Sequence, residues 1–324
     1  MKMNNQKNAN IMIKAAGLSA IILIFLCFIV IFYVAFSGDN TSEIQENGER
    51  YGTSDFYKYK DKIYALVYGN GLLEVEGVDI PTFKVFDTEA NNGNVAYDKN
   101  RVYFGNIAIS DLDPNKLEVI GNGYYTDGTT TYFCSPLSEK NKNLSVPMEI
   151  LQSLTYAFSK SKRAQDYIYP YRKIETDKKI IAVQNFSFFA TDGEKVYYKG
   201  ELIENADLYT LKAVDKYNDD YFYDKNNIYY KTKALNLSSN DNLNLVSVEQ
   251  GERTYLYDGL NGNVSLEEYA FDKKYLPYQV LGEKSNHIRD LLFASKDGIF
   301  FYNPETKEQE RAGDNIFKGK VENT

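Results

Sequence analysis

One short pattern recurs along this chain and constrains its fold more than any other feature. Val95 to Phe104 reads VAYDKNRVYF, Tyr221 to Tyr230 reads YFYDKNNIYY, and Phe188 to Tyr198 reads FFATDGEKVYY. In each copy, two runs of aromatic or β-branched residues flank Asp-Lys-Asn or Asp-Gly, whose residues tolerate positive φ and close tight turns. The pattern predicts a β-hairpin. Weaker copies occupy Tyr57 to Leu66, Tyr124 to Phe133 and Phe293 to Tyr302.

The aspartates of these turns recur with a near-constant period. Counting Asp258 as a further copy, they stand 29 to 39 residues apart except for one gap of 65 residues between Asp127 and Asp192. A period of this size indicates a repeat architecture. The residues predicted to form the structural turns are Asp61, Asp98, Asn100, Asp127, Asp192, Asp224, Asn226 and Asp297.

A second element follows several hairpins. Val78 to Val85, Leu112 to Val119 and Ala206 to Leu211 each place an Asp at the head of a turn, and the Phe or Leu that follows begins an alternating run. We interpret that run as the third strand of a meander begun by the preceding hairpin. The predicted fold is therefore mainly β, built from tandem antiparallel hairpins in three-stranded meanders.

The long gap contains a segment with helical periodicity. From Ser145 the sequence reads SVPMEILQSLTYAF, with a capping serine and a proline in the first turn. A degenerate repeat at Asp177 to Ile180 is a second candidate for part of this gap. We predict an amphipathic helix inserted between two halves of the array, with its apolar face formed by Ile150, Leu151, Leu154, Ala157 and Phe158.

A lone hairpin is marginal in water, so the units must pack on one another. A propeller-like ring and a curved, elongated array both satisfy this requirement. The predicted divisions are a cytoplasmic tail at 1–14, a transmembrane helix at 15–37, a stalk at 38–54, a first β-repeat block at 55–136, an insertion at 137–183 and a second block at 184–324.

An apolar segment near the N-terminus predicts a membrane anchor. No charged residue occurs from Ala15 to Gly38, and about 20 helical residues cross a bilayer. Lys2, Lys7 and Lys14 precede this segment, which places the N-terminus in the cytoplasm and exports the remainder. A cleaved secretory signal is the alternative, but the apolar segment exceeds the usual 7–15 residues of such signals.

Composition limits the partners of the exported part. The net charge of −8 includes the three N-terminal lysines, so the remainder carries −11. A negative domain repels phosphate backbones, which argues against nucleic acid as a partner. The predicted partners are membrane lipid at residues 15–37 and a protein or an envelope polymer; the sequence predicts no cofactor and no metal.

Few residues favour catalysis. His287 is the only histidine and stands in a polar stretch, and Cys134 is the only cysteine after the apolar segment. We interpret Cys134 as a buried structural thiol. Asp98-x-Asn100 and Asp224-x-Asn226 imitate the start of a calcium loop, but the later positions lack the required glycine and glutamate, and we favour turn residues.

The runs Asp98-Lys99-Asn100-Arg101-Val102-Tyr103-Phe104 and Asp224 to Tyr230, with their companion Asp-headed elements, resemble the DKNYY repeat family. The resemblance extends from about Tyr57 to Val248 and implies a bacterial envelope protein. It supplies no catalytic residues. The sequence thus favours a noncatalytic binding or scaffold protein of the envelope; the alternatives are a sensor or assembly subunit that pairs through its span, and a hydrolase based on paired carboxylates.

Overall fold

The computed structural model describes Phe25, residues 27–29, and residues 40–86, 88–159, 163–247, 253–283 and 290–316. The chain divides into two compact units: Met1–Leu117 with Cys134–Tyr171, and Glu118–Phe133 with Arg172–Thr324. The predicted span and His287 lie outside the described residues, apart from four positions of the span. Within the described ranges, no helix is long and apolar enough to cross a membrane.

Both units are built from four-stranded antiparallel sheets. The described residues contain seven such sheets, none of which closes on itself, and one two-stranded ribbon. The first sheet contains β1 (Glu49–Arg50), β2 (Phe56–Tyr59), β3 (Lys62–Val67) and β4 (Gly71–Glu74), and the second contains β5 (Lys84–Val85), β6 (Val95–Tyr97), β7 (Val102–Phe104) and β8 (Ile107–Ile109). The third sheet contains β9 (Glu118–Gly121), β10 (Tyr124–Thr126), β11 (Thr131–Cys134) and β14 (Tyr171–Lys173); the ribbon of β12 (Glu139–Lys140) and β13 (Tyr167–Ile168) lies between β11 and β14 in the chain. The remaining four sheets are, in chain order, β15 (Ile181–Ala182), β16 (Phe189–Thr191), β17 (Val196–Tyr198) and β18 (Glu201–Ile203); β19 (Lys212–Asp215), β20 (Asn218–Tyr223), β21 (Asn227–Tyr230) and β22 (Lys233–Ser238); β23 (Leu243–Ser247), β24 (Thr254–Asp258), β25 (Asn263–Leu266) and β26 (Tyr269–Ala270); and β27 (Gln279–Glu283), β28 (Leu291–Ser295), β29 (Gly298–Asn303) and β30 (Glu308–Gly313).

Helical elements are few. The two α-helices described after residue 40 are α1 (Thr41–Asn47) and α2 (Val146–Ser159). Short 3₁₀ turns cover Ile80–Thr82, Leu208–Thr210 and Lys273–Tyr275. The prediction of a mainly β fold with antiparallel sheets and an inserted helix is therefore confirmed at this level.

The predicted three-stranded meander is wrong in one respect. The strand that follows the Asp-Pro element, β5, pairs with the next hairpin, with Lys84 opposite Tyr97. The edge of the preceding hairpin is taken by β4, with Val67 opposite Gly71. A short turn lets β4 fold back at once and pair the exposed strand edge, so the longer segment after Asp79 is free to begin a new sheet. Each unit of the repeat has four strands.

The interruption of the array also differs from the prediction. The inserted helix was expected between two halves of the array, but it lies inside the third sheet, because β14 returns after the insertion to pair with β11. The degenerate repeat predicted near Asp177 is not a hairpin: Ile180 is buried, and the next two residues form β15, the first strand of the fourth sheet. The chain returns to the third sheet after the insertion because β14 pairs with the otherwise unpaired edge of β11.

The structure also differs from the predicted stalk at 38–54. Residues 41–47 form α1, whose Ile44 is fully buried against Tyr57, Tyr64 and Leu72. Glu49 and Arg50 pair with β2. A single apolar residue in a polar segment gave no periodic signal, yet burying one isoleucine side chain contributes about 1.5–3 kcal/mol. Residues 41–50 are therefore part of the folded structure, upstream of the start expected near Asp55.

Aromatic side chains fill the cores of both units. In the first unit, Phe56, Phe83 and Tyr103 pack together, with ring centroids of Phe56 and Phe83 5.4 Å apart. In the second, Phe189 meets Phe222 edge to face at 4.9 Å. The alternation of each strand places these rings on one face of a sheet, which is why so many tyrosines and phenylalanines can be buried.

Candidate functional site

The most distinctive chemistry of the described residues is a carboxylate buried at the hairpin turn. Asp98, between β6 and β7, is 1% exposed. Its Oδ1 accepts the backbone N–H groups of Asn100 at 2.7 Å and Arg101 at 2.9 Å. Its Oδ2 accepts the hydroxyl of Tyr103 at 2.8 Å and the backbone N–H of Asp79 at 2.7 Å. Four donors therefore satisfy one buried charge.

The Asp-headed element and the hairpin bind each other directly. Lys99 Nζ lies 2.6 Å from Asp79 Oδ2, and the Lys99 N–H donates to Thr82 Oγ1 at 3.1 Å. The Thr82 hydroxyl donates to Asp79 Oδ1 at 2.8 Å. The two recurrent sequence elements thus form one polar cluster that ties the 3₁₀ turn to the hairpin that follows it.

The same cluster recurs in the second unit. Asp224 Oδ1 accepts the N–H groups of Asn226 and Asn227, both at 2.7 Å. Its Oδ2 accepts the Tyr229 hydroxyl at 3.0 Å and the Asp207 N–H at 2.8 Å. Lys225 pairs with Asp207, as Lys99 pairs with Asp79. Two similar sequence segments, distant in the chain, therefore form the same pattern of hydrogen bonds.

These contacts change the acidity of the groups involved. Burial raises the pKa of a carboxyl group, but hydrogen bonds from Asp79, Asn100, Tyr103 and Arg101 outweigh burial and hold the pKa of Asp98 below its usual value. Burial, with the Asp98 carboxylate, raises the pKa of the Tyr103 hydroxyl. The cluster is therefore ionised at Asp98 and protonated at Tyr103 at neutral pH.

The other predicted turn residues fall into two groups. Asp127 and Asp192 each head a four-residue loop and accept two backbone N–H groups through Oδ1. The Asp192 carboxylate also accepts the hydroxyl of Tyr197 at 3.0 Å, and burial with this contact raises the pKa of Tyr197 to about 12. Asp61 and Asp297 lie exposed in two-residue loops. Asn100 and Asn226 are exposed and contribute backbone donors to the clusters.

The turn carboxylates do not have the arrangement of a calcium site. Calcium requires several oxygen atoms that converge on the ion, whereas N–H and O–H donors converge on Asp98 and Asp224. Among the described residues, no group of three or more His, Cys, Asp or Glu side chains is placed to hold a metal ion. Cys134 is fully buried, and burial raises the pKa of its thiol.

A cleft in the second unit has a different character. Its volume is about 340 Å³, and residues of the fifth, sixth and seventh sheets line it. The rings of Tyr221 and Tyr230 lie 4.9 Å apart on one side. Its charged or polar lining includes Asp220, Arg253, Glu267, Tyr302 and Lys307. Tyr221 and Tyr230 are themselves buried, so the accessible part of the lining consists of charged groups of both signs and the half-buried ring of Tyr302.

Buried contacts position the walls of this cleft. The Tyr198 hydroxyl donates to Asp220 Oδ1 at 2.7 Å. Arg253 is paired at 3.0 Å with Asp290, which is 1% exposed and also accepts the Tyr255 hydroxyl. The backbone N–H of Glu267 donates to the Tyr221 hydroxyl at 2.6 Å. The charged groups are held by packed strands, which favours a preformed binding site.

Sequence reasoning missed these cleft residues. Asp220, Arg253 and Glu267 are common residue types, and no motif or spacing distinguishes them from surface charges. Only the pairing of β20, β24 and β25 with their neighbours brings them to one cleft. A second cleft, of about 580 Å³, is lined mainly by charged residues such as Arg172, Lys195 and Glu204 and lacks the paired rings.

The geometry defines a class of protein: a tandem array of four-stranded antiparallel β-sheets, in two of which a buried aspartate binds the segment that precedes the sheet to its central hairpin. A family model described as the DKNYY family matches residues 56–233. The match covers more than half of the chain, and the chain belongs to this family. No curated protein and no solved structure matches it.

Proposed function

We propose that this chain is a noncatalytic binding or scaffold protein of the bacterial envelope, held to the membrane by residues 15–37. Its N-terminus lies in the cytoplasm and its β-repeat units lie outside. The observation that carries the proposal is a contrast between two sets of polar groups: the aspartates of the family motif are used in structural hydrogen bonds, whereas the cleft of the second unit leaves charged groups of both signs and the half-buried Tyr302 accessible.

The cleft suits a polar, uncharged ligand rich in hydroxyl groups. Sugar rings pack against tyrosine rings, and their hydroxyls donate to carboxylates and accept from guanidinium or ammonium groups. Asp220, Glu267, Arg253 and Lys307 supply both kinds of partner. A segment of an envelope glycan is therefore the ligand that this lining favours over a strongly charged one.

Binding can be tested with the full-length chain in detergent micelles. Envelope glycan fragments would be titrated and monitored by calorimetry. Glu267→Gln keeps the side-chain shape and removes the charge in the cleft, so affinity should fall about tenfold, the cost of weakening one charged hydrogen bond. Glu268→Gln, a neighbouring exposed residue outside the cleft, is the matched control and should bind normally. Equal affinities of the two variants would refute the cleft as the binding site.

A hydrolase remains the competing function, because two carboxylates, Asp220 and Glu267, line the same cleft. The same glycan fragments should be incubated with the protein, and the new sugar ends that hydrolysis would release should be counted. The proposal expects no release of new sugar ends over the protein-free control. Release that disappears in Glu267→Gln would overturn the noncatalytic function.

Topology and pairing require separate tests. Alkaline phosphatase fused after Thr324 should be active if the repeat units are exported, and inactivity would overturn the orientation. A sensor or assembly subunit would pair through residues 15–37 with another membrane protein. Photocrosslinking from Phe28 in intact cells would yield a defined protein adduct in that case, and none if the span serves only as an anchor.

The repeat also supports a propeller-like ring, because propeller blades are four-stranded antiparallel sheets. A curved, elongated array is the alternative. Small-angle X-ray scattering of the full chain in matched-out detergent separates them: a ring gives a single compact distance distribution, whereas an elongated array gives a long tail at large distances.

A further inference from the structure

The helix α2 exposes three large residues of its predicted apolar face. Leu151 is 57% exposed, Ile150 is 55% exposed and Phe158 is 67% exposed. The residues on the opposite side, Gln152 and Ser153 among them, are half-buried. A surface helix normally turns its apolar side toward the core. In α2, Ile150, Leu151 and Phe158 of the predicted apolar face are exposed, contrary to the packing expected for the predicted amphipathic helix. Leu154 of that face is half-buried, and Ala157 is buried.

Part of the α2 surface is covered by the rest of the chain. Ala157 is 1% exposed, and Tyr156 is half-buried. Exposure therefore varies around the helix, and Ile150, Leu151 and Phe158 lie where it is large.

More apolar surface lies at the base of α2. The ribbon of β12 and β13 closes the insertion, defined here as residues 137–168, which includes α2. The large apolar side chains that stand exposed on the insertion and on the adjacent turn of β3 and β4 are Tyr68, Leu137, Val146, Met148, Ile150, Leu151 and Phe158. Five of these seven residues belong to α2, and exposed apolar residues gathered on one element mark an interaction surface.

The base of the insertion is close to the point where the chain leaves the predicted span. The Asn70 side chain donates to Tyr167 O at 2.6 Å and accepts the Tyr167 N–H at 3.1 Å, which attaches β13 to the turn before β4. Two residues further on, the Leu72 N–H donates to Thr41 Oγ1 at 2.8 Å. Thr41 begins α1 and follows the last predicted span residue, Ser37, by only four positions, which span at most about 14 Å.

The charge around α2 differs from that of the whole chain. Five basic and two acidic residues occur between Glu139 and Arg163, a net charge of +3 in a chain whose net charge is −8. Lys140 and Lys142, before the helix, are exposed. An apolar helical face with basic residues at its ends is the composition of a helix that lies in the interface of an anionic bilayer.

We propose that the apolar face of α2 lies in the interfacial region of the bilayer that anchors the chain. The occupant of this surface is lipid: acyl chains cover Ile150, Leu151 and Phe158, and anionic headgroups meet the flanking lysines. The inference rests on the proposed anchor at residues 15–37. It adds a second, reversible membrane contact, which orients the repeat units relative to the bilayer surface.

Tryptophan fluorescence provides the test, because the chain contains no tryptophan. Leu151→Trp would be made in the full-length chain and reconstituted into vesicles of phosphatidylcholine and phosphatidylglycerol, with and without brominated acyl chains. Ile150→Trp is a second reporter on the same face. Tyr217→Trp, at a position 84% exposed in the second unit, is the matched control, and Phe28→Trp reports on the anchor.

The expected result is a blue-shifted emission of Leu151→Trp and a roughly twofold loss of its intensity in brominated vesicles, since interfacial helices bury their apolar side about 5–10 Å deep. The Tyr217→Trp emission should remain unquenched. Vesicles without phosphatidylglycerol should give weaker quenching of Leu151→Trp, because the headgroup attraction is lost.

The other outcomes overturn the proposal in distinguishable ways. Quenching of Phe28→Trp without quenching at positions 150 and 151 would leave the anchor in place and refute the interfacial helix. An unquenched Phe28→Trp would refute the anchor and, with it, the second contact. A blue shift at position 151 without bromine quenching would mean that protein covers the face, and equal quenching at position 217 would mean nonspecific adsorption.

Discussion

The hairpin of the second sheet and the hairpin of the first sheet carry similar turn sequences, yet they close by different means. Asp98 is buried at the head of a four-residue loop and accepts four hydrogen bonds. Asp61 is exposed in a two-residue loop, where Lys60 and Asp61 have φ values of 47° and 55°. One turn is held by its side chain, and the other by the backbone conformation that its residues tolerate.

This difference shows that the structural role of a turn aspartate depends on whether a neighbouring element donates a hydrogen bond to it. The N–H of Asp79 reaches Asp98 from the preceding 3₁₀ turn, as that of Asp207 reaches Asp224. Asp61 belongs to the first sheet, before which no repeat of this kind is described. The turns at Asp98 and Asp224 therefore bind the segment that leads into their own sheet, whereas the turn at Asp61 closes a hairpin by its backbone conformation.

The largest effect should come from a matched pair of isosteric changes. Asp98→Asn places an amide N–H₂ among four donors and removes the buried charge, so the free energy of unfolding should fall by about 2–3 kcal/mol. Asp61→Asn should change it by less than about 0.5 kcal/mol. Denaturant unfolding of the full-length chain in detergent measures both. Equal effects would mean that the two turns are alike after all.

A smaller loss is expected when only one donor is removed. Tyr103→Phe deletes the hydroxyl that donates to Asp98 at 2.8 Å and keeps the ring in the core. The free energy of unfolding should fall by about 1–1.5 kcal/mol, the value of one hydrogen bond to a charged group. Tyr97→Phe, in the same hairpin and half-buried, is the control. A negligible loss for Tyr103→Phe would show that backbone donors alone satisfy Asp98.

The pH dependence of the free energy of unfolding should report on the cluster around Asp98, with a smaller effect than the substitutions above. The folded-state pKa of Asp98 lies below the unfolded value of about 3.9, so its stabilisation is complete above that pH and is lost as the pH falls through the folded pKa. The free energy of unfolding of Asp98→Asn should therefore fall less steeply than that of the wild type below about pH 4. Parallel curves for Asp98→Asn and the wild type would contradict the cluster's role.

The smallest expected effect has the opposite sign. Asp61→Gly places glycine where φ is already positive, and the free energy of unfolding should rise by about 0.5 kcal/mol as backbone strain is relieved. Asp98→Gly should instead destabilise the chain, because it deletes the acceptor of four hydrogen bonds. Thermal unfolding of the two variants side by side measures the contrast, and destabilisation by Asp61→Gly would indicate an unrecognised role for its carboxylate.

Much of the fold could be read from local patterns. The hairpins around Asp98 and Asp224 follow from alternation and turn residues, which act within about ten residues of chain. The helix α2 followed from its 3.6-residue period. Local patterns did not predict the fourth strand of each sheet, the folded segment at Thr41 or the cleft around Glu267. The pairing of strand edges and the burial of single residues depend on contacts with segments that are distant in sequence.

The amino-acid sequence by itself determined the repeated hairpins, the apolar N-terminal segment and the membership of the motif-bearing family, since each depends on residue type and spacing alone. Only the tertiary structure decided that β5 joins the next sheet, that the Asp79 and Asp98 elements form one cluster, and that α2 leaves Ile150, Leu151 and Phe158 exposed. The physical reason is that hydrogen bonding and burial at these places are shared between segments distant in sequence, so neither segment carries the information by itself.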